Sequence, residues 1–504
     1  MLLLTWTTLL GLSTACVTRD PVFARAVPQT PPLQVHGTLV FHDSVRQRLS
    51  FLRATNDGWD SQPYIGTPTK RAVTPDGNRL ILLDSTHRKV TTFTPPATLH
   101  EAALPATFSG LATSEDSQAI VLYHDPAIAG NSSLVNTAEV ALLDLTAQEP
   151  KLQVANVAGM PQTPQQAFVS PPVMLGATAH RVVWLHAAST VGVADFAADG
   201  KVRTVVVPLT PPDGKAVLHP HHAAARAAGG SLHLYLIASG SNDAVHLTID
   251  LTGGDLSASL DQIASGAVPT DLQVVDSKVG LRVLTVNQGA QTVALLDPST
   301  GTGTYVDLDF PATHILPYTG ADTKAHALLY GSGAAAIYTV DIDDMLKKKG
   351  KAIHKFTLSQ PVTGVASAPP FFLLQHASTS TGLEMFDPNL GKLTAFAGTG
   401  AIVQWLLAGD SIYILGSVVG PGGYSHVGRL SRIDLKDSHG SSVDLSRSAE
   451  SLWRLDGDRV AVLAGEGVGG WWTAVFDNGA VDANKPHVIE GLYLDGEMQY
   501  AVPR

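Results

Sequence analysis

Leu281–Gly301 reads LRVLTVNQGAQTVALLDPSTG. LRVLTV has the composition of a strand, NQGAQ of a tight glycine-containing turn, TVALLD of the partner strand and PSTG of the next turn. Upstream, Val268–Val275 (VPTDLQVV) reads as one more strand, and downstream Thr302–Leu308 as a fourth. A four-stranded meander of about 45 residues cannot cover both of its faces alone, so it needs copies of itself beside it.

The copies are present. Lys70–Thr94 runs strand, Asp-Gly turn, strand, turn, strand. The outline returns at Gly110–Thr146, Val173–Val207, Ala223–Leu251, Ala325–Ile342, Val365–Leu393, Val403–Leu435 and Leu452–Val481. Its recurring tail is an apolar run closed by aspartate, at Asp144, Asp250, Asp297, Asp341, Asp387, Asp434 and Asp477. The spacing drifts between roughly 40 and 60 residues, the period of propeller blades carrying loop insertions. VNQGAQTVALLDPSTG, with TPDGNRLILLD before it, resembles the YVTN-type β-propeller repeats of bacterial surface and periplasmic proteins. The resemblance covers nearly all of the chain after Leu33. It implies a fold and no single activity, because such propellers carry many unrelated functions. The pair Trp59-Asp60 falls outside the strand pattern, so a WD-type repeat is not indicated.

The sequence therefore predicts an all-β chain, residues 33–504 forming a single β-propeller of about 8–10 four-stranded blades. In His36–Arg53 a hairpin matches the middle of the repeat and lacks a first strand, while Glu490–Val502 supplies a spare opening strand. A closed ring must bond its last sheet to its first or leave an edge exposed. Pairing of N- and C-terminal strands in one shared blade is the expected closure.

Composition bounds the partners. Charged residues are only 15%, the formal net charge is −11 and the isoelectric point near 5.9. A phosphate-binding surface needs a basic stripe, so no nucleic acid is expected as partner. The cluster Lys347-Lys348-Lys349 with Lys351 follows Asp341-Ile342-Asp343-Asp344 and reads as a solvated loop with one helical turn. The acidic run departs from a calcium loop, which needs glycine at its sixth position and a later glutamate.

The chain has one cysteine, Cys16, which excludes an intramolecular disulfide. Met1–Ala15 is a short apolar run ending in small residues, too short to span a bilayer and consistent with an export signal. The segment resembles the lipobox of bacterial lipoproteins, with Cys16 as the lipidated first residue. Ser13 stands where leucine is usual and no basic residue precedes the apolar run, so an ordinary signal peptide is the other export reading. Residues 17–32, with Pro21, Pro28, Pro31 and Pro32, read as an extended tether. The localisation expected is export, with a lipid anchor in the outer membrane or periplasm.

Candidate site residues come from a recurring spacing. A proline precedes by two places the residue entering the first strand of a repeat: Pro68 and Lys70, Pro220 and His222, Pro269 and Asp271, Pro361 and Thr363, Pro172 and Met174. Lys70, His222, Asp271 and Thr363 would form a partial polar ring at a channel mouth, which fits a ligand site and fits equally the wet pore mouth of any propeller. His219 and His221, in HPHH, are the metal candidates, although alternating side chains on an extended chain and the rigid Pro220 work against convergence. Asn131-Ser132-Ser133 is a formal glycosylation sequon and reads as a loop, and of Trp471-Trp472 one ring is expected in the core. No G-x-S-x-G elbow, phosphate-binding loop or dinucleotide fingerprint occurs, and no cofactor is expected. The functional reading is a cell-envelope binding or scaffold module for protein or glycan partners. The alternative is a hydrolase- or lactonase-like enzyme with Lys70, His222 and Asp271 as first suspects.

Overall fold

The computed structural model describes residues 32–503, apart from segments 45–46, 53–58, 95–98, 130–135, 148–149, 161–162, 210–217, 348–351, 377–381, 397–400, 420–425, 437–438, 446–447, 456–458, 467–469, 477–486 and 491–499. Cys16, the tether, the sequon and Asp477 lie outside the described residues. The chain is an all-β propeller of four-stranded blades, and ten sheets form, at the top of the expected range.

The founding repeat is blade 6: Pro269–Ser277, Gly280–Asn287, Thr292–Asp297 and Thr302–Asp307, antiparallel throughout. Its two middle strands each carry a continuous buried run, Val283–Asn287 and Val293–Leu296, while the outer strand is half-buried or exposed throughout. Leu80–Asp84 in blade 2 and Ala119–Tyr123 in blade 3 are buried at every position. A middle strand is covered by a neighbouring blade on each face, so both of its side-chain rows must be apolar. This produces the continuous LLD-type runs in place of alternation.

Two units divide the chain. Pro68–Ala397 holds blades 2 to 8, and each blade packs on the next through a mixed aliphatic core. Ile81, Leu83, Ile120 and Leu143 join blades 2 and 3, Leu284, Leu295, Leu329 and Val340 join blades 6 and 7, and Leu328, Ile337, Phe372 and Phe386 join blades 7 and 8. Blade 4 has an extra strand, Val173–Leu175, so Met174 follows the first strand (Gln166–Val169) instead of opening it.

The second unit, Met1–Thr67 with Gly398–Arg504, holds blades 1, 9 and 10. Here the expected shared terminal blade does not form. Leu33–Val35 pairs with Thr38–Val40 and gives blade 1 its own first strand. Tyr500–Pro503 pairs with His487–Glu490 as a fifth strand on blade 10, covering that sheet's outer edge. Blades 1 and 10 meet instead through side chains, Leu39, Phe41 and Leu52 against Ala461, Leu463 and Val475, with Gln34 Nε2 donating to the Arg454 carbonyl. Trp59-Asp60 also departs from expectation, because Trp59–Pro63 is the fourth strand of blade 1. Trp471 and Trp472 lie in the third strand of blade 10 (Gly470–Phe476).

The recurring aspartate has a local cause. Asp144, Asp250, Asp297 and Asp387 end the third strands of their blades, and each Oδ1 accepts the backbone N–H two residues on, at 2.9 Å. Asp434 does the same at 2.8 Å. The side chain closes the turn towards the outer strand. Asp341 instead accepts from the Asp344 N–H and caps a short helix, Ile342–Leu346, which ends before the lysine cluster.

Candidate functional site

Apart from Met174, the residues proposed from the proline spacing lie near the start of first strands, yet the described ones have separate local roles. In three of the five cases the spacing falls on a β-bulge: register shifts occur between Pro220 and His222, Pro269 and Asp271, and Val362 and Gly364, and a further one occurs between Ile402 and Gln404. Asp271 is buried, and its two oxygens accept the Leu272 N–H and, from blade 7, the Ile315 N–H, each at 2.7 Å. Gln404, at the same place after its bulge, donates to the Leu452 carbonyl at 2.8 Å and accepts the Leu452 N–H at 2.9 Å. Both side chains bind one blade to the backbone of the next. Thr363 is the bulged residue of blade 8 and donates to the Gln375 carbonyl of its own sheet at 3.1 Å. Lys70 pairs with Asp125 of blade 3, Nζ to Oδ2 3.4 Å.

The HPHH motif is strand, not loop, since blade 5 opens with His219–Ala228. His219 and His221 are exposed, and His221 Nδ1 lies 3.4 Å from the His219 carbonyl oxygen. The side chain of His222 is outside the described residues.

A convergent cluster forms elsewhere, on the turn Gly320–Lys324 between the first two strands of blade 7 (His314–Thr319 and Ala325–Tyr330). Thr323 takes φ +61° and its N–H bonds the Gly320 carbonyl at 2.9 Å. A side chain at Gly320 would place its Cβ 2.7 Å from both Asp322 Oδ1 and His326 Cδ2, so only glycine lets the turn fold onto these groups. Lys324 Nζ sits between two carboxylates, 2.9 Å from Asp322 Oδ2 and 3.4 Å from Asp341 Oδ2. His326 Nε2 lies 3.0 Å from Asp322 Oδ1, and its ring stacks on Tyr318 at 5.3 Å.

Tyr318, Thr323 and His326 also line a cleft of about 390 Å3 between blades 6 and 7, with Val274, Asp276 and Thr319 among others. The Lys324 ammonium, aided by His326, holds the Asp322 carboxyl far below the usual carboxylate range. Burial pushes the Tyr318 phenol up to about 12, and the charges of Asp322 and Asp341 act in the same direction. The bond to Asp322 and the charge of Asp341 raise Lys324. Each shift moves its group away from neutrality, whereas proton transfer is favoured by a group that titrates near the working pH. The cleft itself offers the Asp276 side chain, two threonines and the rings of Tyr318 and His326.

Asp322, His326 and Asp341 each bring a donor atom within 4.8 Å of the others, the one such set of three among the described residues. Lys324 already supplies the positive charge between the two aspartates, so a metal ion would have to displace it. The sequence carried one sign of this cluster. In ADTKAH, Asp322, Lys324 and His326 alternate, which places them on one side of an extended segment. Asp341 comes from a strand end 15 positions further on, and only the fold adds it.

No family model matches the sequence, and no curated protein matches it. Among solved structures, the chain is similar to the dihydro-heme d1 dehydrogenase NirN in complex with DHE, at 12% identity over 83% of this chain and 76% of that one, with a TM-score of 0.43. It is similar to a eukaryotic initiation factor at 13% identity, covering 82% and 97% of the two chains with a TM-score of 0.45. A putative 6-phosphogluconolactonase from Bacteroides fragilis gives 15% identity over 61% and 89%, with a TM-score of 0.36. At such identities the similarity concerns the fold alone.

Proposed function

We propose that the protein is a binding or scaffold module of the bacterial cell envelope, held to the membrane by a lipid on Cys16, and that it takes up a short polar projection of a protein or glycan partner in the cleft between blades 6 and 7. One observation carries the assignment to binding: the cleft is lined by Asp276, Thr319, Thr323 and the rings of Tyr318 and His326, and the Asp322–Lys324 ion pair holds His326 from beside it. Such groups recognise a polar surface. The lipid anchor rests on the leader segment and the proline-rich tether.

The test uses the full chain carrying a photo-crosslinking residue at Thr323, expressed in a Gram-negative host. A discrete adduct that disappears with Tyr318→Ala supports recognition in the cleft, and its sensitivity to protease or to glycosidase tells protein from glycan. Equal adducts from a crosslinker placed on the outer strand of blade 3 would refute the site. Fractionation of Cys16→Ala tests the anchor separately: the variant should leave the membrane, and one that stays there is not lipid-anchored through Cys16.

A further inference from the structure

Blade 5 carries a second polar cluster, independent of the cleft. Its second strand (Ser231–Ser239) and third strand (Asp243–Asp250) pair Tyr235 with His246 and His233 with Thr248. Directly opposed residues, and residues two apart along one strand, lie on the same face of a sheet. His233, Tyr235, His246 and Thr248 therefore share one face. The outer strand, Ser257–Ala264, adds Asp261 opposite His246.

On that face His233 Nδ1 and His246 Nε2 are 3.0 Å apart, and Thr248 Oγ1 is 3.3 Å from each. The three donor atoms form a nearly equilateral triangle. Zinc with nitrogen or oxygen ligands at about 2.0–2.1 Å in a tetrahedron has edges of about 3.3–3.4 Å. The triangle is thus close to one face of a zinc tetrahedron before any ion enters.

We infer that His233, His246 and Thr248 form a site for a borderline transition-metal ion of the zinc or copper(II) class, with water in the open position. Imidazole nitrogens suit these ions and disfavour magnesium and calcium, which take oxygen ligands. Metal ligation requires neutral imidazole. Tyr235 stacks on His246 with ring centres 4.8 Å apart and 11° between planes, fixing the ligand's orientation. His246 is 8% exposed, and its Nδ1 has no hydrogen-bond partner, so its polar ties run through Nε2. An incoming ion displaces only those bonds. Half-buried His233 and Thr248 leave a path for the ion.

The full chain, stripped with chelator, is titrated with zinc chloride against a competing chromophoric chelator, with magnesium and calcium chloride as controls. One equivalent of zinc should bind and the controls should not. His233→Ala, at a half-buried position the fold tolerates, should weaken zinc binding at least tenfold. The double variant His219→Ala/His221→Ala removes the other histidine cluster and should leave the titration unchanged. Cobalt(II) added to the wild type should give the intense visible bands of a tetrahedral ion, absent in His233→Ala. The site is wrong if wild type takes up no zinc, if His233→Ala binds it as wild type does, or if binding is lost only with His219 and His221.

Discussion

Asp271 decides between two readings of the first-strand residues. As a channel-mouth ligand group it should matter for partner capture and little for stability. As a tie between blades it should do the reverse. Asp271→Ala removes the acceptor of the Ile315 N–H and of the Leu272 N–H. Leu272 and Ile315 are both core residues, 0% and 2% exposed, so water cannot readily replace the lost carboxylate. A hydrogen bond to a charged group contributes about 1.5–3 kcal/mol, and a buried N–H left without a partner costs about 1–3 kcal/mol. Local relaxation recovers part of the two losses together, leaving about 3 kcal/mol. At 1.4 kcal/mol per factor of ten, that is roughly a hundredfold rise in local opening. A chain of ten blades need not unfold in one step, so the readout should be local. Hydrogen exchange of the Ile315 amide reports the opening directly. Exchange in His314–Thr319 should accelerate by about two orders of magnitude in Asp271→Ala, while blade 3 keeps its wild-type rates. Asp271→Asn should fall between, since its amide offers one oxygen and turns a donor towards the other N–H. If Asp271→Ala exchanges within threefold of wild type at Ile315 and at the same time loses the crosslinked adduct, Asp271 belongs to a ligand site and the inter-blade role is refuted.

Gly110 opens the first strand of blade 3 opposite Tyr123, and an added Cβ would sit 2.5 Å from the tyrosine Cζ. The ring must leave its place, so Gly110→Ala should cost about 1–3 kcal/mol, read as a lower denaturant midpoint, and Tyr123→Leu in the same chain should recover most of it. Asp116 is raised by partial burial, but the bonds from Arg181, Ser114 and Gln118 outweigh this and hold its carboxyl below the usual range. A folded-state value below the unfolded one contributes stability that is complete above the ordinary carboxylate range and disappears as pH falls through the folded value. The stability gap between wild type and Asp116→Asn should therefore be widest near neutrality and close in acid, and a gap that widened as pH fell would show the sign to be wrong.

The legible part of the molecule was whatever a single blade repeats. Leu281–Gly301 carried its strands and turns because the buried middle strands must be apolar on both faces and the turn needs Asp297. The terminal blades were harder to read because their distinguishing strands are short: LQV at 33–35 is three residues long and follows the prolines of the tether. A three-residue strand has no period to detect, so the shared terminal blade was inferred from an apparent gap that blade 1 fills itself.

The proline spacing teaches something more specific. It marked bulges at Pro220, Pro269 and Pro361-Val362, and a bulge re-aims the residue that follows it. Re-aiming is needed by a ligand group facing a channel and equally by a clamp reaching the next blade, so spacing alone cannot separate the two. Gln404 separates them. It occupies the post-bulge place in blade 9, has no proline two positions before it, and makes a two-bond clamp on Leu452. Asp271 makes the same kind of tie with a charge. Two residue types that share only their hydrogen-bonding capacity thus do one job at one position, which a requirement for joining blades explains and a requirement for one ligand does not. Of the groups that converge outside these ties, Asp322 with Lys324 and His326 come from a turn and a strand start of blade 7, while His233 and His246 lie within the middle strands of blade 5. Their sequence separations differ from blade to blade, so only the folded register brings them together.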